Sequence, residues 1–152
     1  MLRNLQQRKS DGFTIIEVMI VLAIAGLIML IVFLAVPALQ RNSRNTQYKN
    51  DASNYASAVS EWMNNNNGKV PGDSDLTNVN KLANLGQLTA PTATESGAKT
   101  SQPAIGTLEV DVNAKCSTTT VGDTDAITTR SVAIRYSVED SGGNPVKQCV
   151  DV

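Results

Sequence analysis

The chain has 152 residues, with 13 Lys plus Arg against 14 Asp plus Glu, no histidine and a formal net charge of −1. That balance excludes a global electrostatic pull toward nucleic acid or anionic membranes. The missing histidine removes the usual general base near neutral pH and the commonest metal ligand. Aromatic residues are 4% of the chain, which limits the packed core to one modest domain.

Residues 1–12 (MLRNLQQRKSDG) are polar, with Arg3, Arg8 and Lys9 against Asp11. Residues 13–36 are almost wholly apolar, and the 19 residues from Val18 to Val36 carry no polar side chain. About 18 such residues suffice to span a bilayer. The run is apolar all round, as expected in lipid or at the centre of a helical assembly. It is longer than the roughly 7–15 apolar residues of a secretory signal peptide, although Val36-Pro37-Ala38 loosely fits a cut site. Arg41, Arg44 and Lys49 follow the segment. Basic residues therefore flank both sides, and the short basic tail favours its N-terminus inside and its C-terminus outside.

After Pro37 a helical period continues. Tyr48, Ala52, Tyr55, Val59 and Trp62 recur at three and four residues and form an apolar face with Ala56 and Met63. Arg41, Arg44, Lys49, Asp51 and Glu61 are expected on the other side. Asn64 to Asn67 followed by Gly68 predicts the helix end. A helix over 13–65 would be about 80 Å long at 1.5 Å per residue. Pro37 predicts a kink, and Gly26 adds a second soft point.

Residues 68–106 read mainly as loop, with a turn at Val70-Pro71-Gly72. Leu76, Val79, Leu82 and Leu85 suggest a short amphipathic helix. Thr89 to Pro103 reads as irregular and exposed. Leu108, Val110 and Val112 alternate with polar residues, as do Val132, Ile134, Tyr136 and Val138, which predicts half-buried strands. In the second, Ser131, Ala133, Arg135, Ser137 and Glu139 are expected to face outward. The turn Asp140-Ser141-Gly142-Gly143-Asn144 leads to a last strand over 146–152. The predicted fold class is α+β: a long kinked N-terminal helix packed on a small antiparallel sheet of three or four strands. The predicted divisions are a leader (1–12), a hydrophobic helix (13–36), its amphipathic continuation (37–67) and a head of loops and sheet (68–152).

Cys116 and Cys149 are too far apart for a CxxC redox or zinc motif. Outside the cytoplasm a disulfide is the natural reading; the alternative is two unpaired, buried small apolar residues. Asp73-Ser74-Asp75 and Asp123-Thr124-Asp125 could begin a calcium loop, but neither has the glycine and distal glutamate of an EF-hand; solvated acidic turns are the simpler reading. Glu139 and Asp140 make a weak paired-carboxylate candidate. The scattered lysines form no stripe, so no direct nucleic-acid contact is expected. No catalytic residue, metal site or cofactor motif is found.

One junction is specific. Glu17 lies five residues into the apolar run, where a carboxylate costs about 2.5–3.5 kcal/mol on insertion scales. It needs a partner. The string Gly12-Phe13-Thr14-Ile15-Ile16-Glu17-Val18 resembles the processing site of type IV pilins and pseudopilins. In that family a membrane-embedded prepilin peptidase cuts after the glycine and methylates the new amine. The resemblance is close over about residues 8–36 and architectural beyond.

The resemblance implies cleavage between Gly12 and Phe13, N-methylation of Phe13, and assembly through Phe13 and Glu17 into a homo-oligomeric helical filament. Gly26 matches a helix-softening glycine of the family. Pro37 comes about three residues later than the family's usual proline. Implied partners are identical subunits, the prepilin peptidase, and an inner-membrane assembly platform with its ATPase. The subunit would wait in the cytoplasmic membrane and end in an extracellular pilus serving adhesion, twitching motility or DNA uptake. No enzymatic activity of its own is implied. Two alternatives stand beside the pilin: a pseudopilin of a type II secretion system, some of which hold calcium, and a membrane-anchored enzyme or binding domain.

Overall fold

The computed structural model describes residues 12–127 and 130–152. The predicted leader therefore lies outside the described residues except for Gly12. The described residues fall into two units divided after Pro37.

The first unit is the start of helix α1 (Ile15–Asn65), which contains Pro37. Its large apolar residues are all exposed, from Phe13 at 90% to Val36 at 41%. Nothing within the unit covers them.

In the second unit, α1 buries Tyr48, Ala52, Tyr55, Val59 and Trp62, the face expected from the 3–4 spacing, together with Ala58, while Ala56 and Met63 are partly buried against it. Burying a side chain of the size of Val or Leu is worth about 1.5–3 kcal/mol. The helix ends as Asn67 and Gly68 take positive φ (55° and 72°) and the Gly68 amide donates to the Met63 carbonyl at 2.8 Å. A short helix α2 (Leu76–Leu82) buries Leu76 and Val79.

Six strands follow: β1 (Thr94–Ser96), β2 (Leu108–Val112), β3 (Ala114–Cys116), β4 (Thr124–Ala126), β5 (Val132–Glu139) and β6 (Pro145–Asp151). The main sheet has the order β1-β2-β5-β6, and β3 and β4 form a separate hairpin. Leu108, Val110 and Val112 of β2 share one core with Val132, Ile134, Tyr136 and Val138 of β5 and the buried face of α1. This is the predicted α+β arrangement.

Three details differ from expectation. The edge strand β1 pairs parallel to β2, whereas β2–β5 and β5–β6 are antiparallel. Strand β5 is buried on both faces from Val132 to Val138. Its outer face is covered by the segment expected to be an exposed loop: Ser137 Oγ donates to the Pro103 carbonyl at 2.7 Å and Arg135 Nη1 to the Ser101 carbonyl at 2.6 Å. Finally, Asp51 is buried rather than on the polar side of α1. Its carboxylate accepts from the amides of Gly86, Gln87 and Leu88 at 3.0, 2.6 and 2.8 Å. Burial opposes the charge on Asp51, yet the three donors win and hold its carboxyl below the usual range. The carboxylate supplies three loop amides with the acceptors that water no longer provides.

The hairpin loop lies against β6. Gly122 has φ +79°, and a Cβ there would overlap the Lys147 side chain and backbone. Gly122→Ala is expected to cost about 2–4 kcal/mol, combining backbone strain and overpacking. Gly143→Ala is the control: its φ is +82° but its surroundings are open, so only the conformational cost of about 1–2 kcal/mol applies. Urea unfolding of both variants measures the difference.

Candidate functional site

Gly12, Phe13 and Thr14 precede α1 and are exposed. The bond between Gly12 and Phe13 therefore lies outside the helix, in the kind of backbone that proteases favour. Thr14 and Glu17 close the first turn reciprocally. Glu17 accepts from the Thr14 amide and from Thr14 Oγ1, both at 2.8 Å, and the Glu17 amide donates to Thr14 Oγ1 at 3.3 Å. This is a capping box, which satisfies two amides at the helix start. From sequence Glu17 needed a partner, and the Thr14 side of this pairing was not foreseen. The Thr-x-x-Glu spacing before an apolar run was the available signal. The carboxylate also sits at the positive end of the helix dipole.

Gly26 has nothing within 4 Å of where a Cβ would stand, so no contact inside the unit requires a glycine there.

In the second unit, Cys116 on β3 and Cys149 on β6 are joined by a disulfide, with a sequence separation of 33. The bond ties the hairpin to the main sheet, as does the Cys116 amide donating to Asp151 Oδ1 at 2.6 Å. A loop of this length is worth about 3–4 kcal/mol by chain entropy. The Cys116→Ser/Cys149→Ser variant should lose that amount in denaturant unfolding, and added reductant should then change nothing further.

The acidic turns are engaged in holding the fold. Asp73 Oδ1 accepts from the amide and hydroxyl of Thr94 at 2.6 and 2.8 Å, and Asp75 Oδ2 from the Gly72 amide at 3.1 Å. Asp123 pairs with Lys147. Among the described residues no three His, Cys, Asp or Glu side chains gather as metal ligands would. Glu139 makes a two-pronged ion pair with Arg44 at 3.0 and 2.8 Å. That pairing holds the Glu139 carboxyl below its usual range. Asn45 exchanges two hydrogen bonds with the Glu139 backbone, at 2.7 and 2.8 Å. Glu139 is thus a tie between α1 and the end of β5, and Asp140 accepts amides within its own turn.

Sequence reasoning also missed the buried pair of Arg135 and Asp111, both fully inaccessible. Its only sequence trace was a charge at an alternating position of a strand, which reads equally well as outward-facing.

No curated protein and no solved structure matches the chain. The family model for the prokaryotic N-terminal methylation motif matches residues 7–33, which include Gly12, Phe13, Glu17 and Gly26. The matched motif indicates a precursor of the type IV pilin or pseudopilin type.

Proposed function

We propose that this chain is the structural subunit of a type IV pilus. The observation that carries the reading is the coincidence of the methylation motif over residues 7–33 with an apolar helical segment that its own unit leaves uncovered. A prepilin peptidase would cut between Gly12 and Phe13 and methylate Phe13. The span from Phe13 would hold the precursor in the cytoplasmic membrane with the head outside. Packing against identical helices would then replace lipid around residues 13–36. Each Glu17 would exchange its own Thr14 for the Phe13 amine of a neighbour. A dry pairing of this kind is far stronger than one at a surface, and it selects one axial register. The assembly platform and ATPase supply the work of extraction, and the head's polar surface faces the medium. Adhesion, twitching motility and DNA uptake are the roles such a filament would serve.

Sheared surface filaments, sequenced and weighed from the N-terminus, test the proposal. Long filaments whose subunit begins at methylated Phe13 are expected. Short assemblies confined to the periplasm would mark a pseudopilin instead. A chain that keeps Met1, or no filament at all, would leave a membrane-anchored head as the better reading.

A further inference from the structure

The outer face of the main sheet gathers three carboxylates and two cations. Arg135 on β5 is fully buried; it pairs with Asp111 through Nε, approaches Glu109 Oε2 at 2.7 Å through Nη2, and has Glu95 at 3.8 Å. Lys99 reaches Glu95 at 3.0 Å. Thr124 Oγ1 adds a hydrogen bond to Asp111 at 3.1 Å. The sheet register makes this arrangement unavoidable: Glu95 lies directly opposite Asp111 across β1–β2, and Glu109 opposite Arg135 across β2–β5. Like charges directly opposite on adjacent strands repel. Asp111 and Glu95 each have a cation, while Glu109 shares Arg135 and is the carboxylate in surplus. The loop at Thr89–Ala93 that completes its surroundings carries no charge.

We propose that this cluster is an acid-responsive catch on β1, in which a proton taken up by Glu109 removes the surplus charge and tightens the edge strand onto β2. Strand β1 is suited to such control. It has three residues and a single partner strand. Beyond the sheet, Thr94 is anchored by Asp73 and Glu95 by Lys99.

Burial pushes the Glu109 carboxyl up; Arg135 and Lys99 oppose the rise, and Glu95 and Asp111 add to it. The sign follows from linkage. A carboxyl raised in the folded state binds its proton more tightly there than in the unfolded chain. Its contribution to stability therefore grows as pH falls through the raised value and is lost as pH rises. Asp51 and Glu139, held low, change stability the opposite way. Only differences between variants isolate Glu109.

The test uses the full chain in detergent with Glu109→Gln, Glu95→Gln and the double variant. At pH 7 Glu109→Gln is expected to raise the unfolding midpoint by roughly 2–5 °C and to slow hydrogen exchange in peptides spanning β1, whereas Glu95→Gln, which strips β1 of its tie to Lys99, is not. The Glu109→Gln gain should shrink as pH falls and the wild type takes up its proton. The double variant should lose the gain, since one carboxylate then faces two cations. A lower midpoint in Glu109→Gln, unchanged β1 exchange in that variant, or a gain undiminished in the double variant would overturn the proposal.

Discussion

Glu17→Ala is expected to abolish filaments while leaving cleavage at Gly12–Phe13 intact. In the single chain the Glu17 carboxylate is satisfied by its own Thr14. That capping box explains how a carboxylate is tolerated in an apolar segment before assembly. In the proposed filament its partner is the Phe13 amine, which exists only after cleavage. Removing one member of a buried pair typically costs about 3–5 kcal/mol, or roughly two to four orders of magnitude in association. Glu17→Gln separates the two roles of the side chain. Glutamine also serves in a capping box but carries no charge. If capping were the whole role, Glu17→Gln would assemble normally; if charge pairing drives assembly, it fails as Glu17→Ala does. Processed subunit in the membrane is measured by mass spectrometry of the N-terminus, and assembly by the yield of sheared filaments. Normal yields from both variants would sink the assembly role of Glu17.

The second large effect lies in the head. Asp111→Ala should destabilise it by about 3–5 kcal/mol, because Arg135 would remain buried with its main partner gone. The remaining contacts do not replace that partner. Glu109 is half-buried, Glu95 is 3.8 Å away, and the Ser101 carbonyl occupies a different nitrogen. Replacing both members, as in Asp111→Leu/Arg135→Met, should cost much less than the single change, since buried pairs often yield to apolar side chains of similar volume with little loss. Urea unfolding of the two variants gives the comparison. A single variant as stable as the wild type would show that Arg135 reaches water when Asp111 is removed.

Both effects bear on how the protein is read from its residues. The apolar segment over residues 13–36 was legible because its signal is compositional: a run of apolar side chains has one physical consequence wherever it sits. The core stripe of α1, the helix end at Asn67-Gly68, strands β2, β5 and β6 and the turn before β6 were legible because they rest on local periodicity and on conformations that few residues adopt. The capping box was legible in principle and needed only the Thr14–Glu17 spacing.

What the tertiary structure alone decided is where polar residues go. Asp51, Arg135 and Ser137 read as solvent-facing by period, yet all three are buried. The period of a strand or helix assigns a side chain to a face but says nothing about what covers that face. Here the cover comes from the loop at Gly86–Leu88 for Asp51 and from the Thr- and Ser-rich segment before β2 for Arg135 and Ser137, neither of which has a periodic signal. The parallel pairing of β1 belongs to the same class, because it joins residues whose approach is set by the whole fold, whereas the pairing of Cys116 with Cys149 was legible because the chain has only two cysteines. Local sequence therefore determined the helix, its exposed apolar span and the strands of the core. Only long-range packing determined which charges are buried, because desolvation and its compensation depend on neighbours far away in the chain.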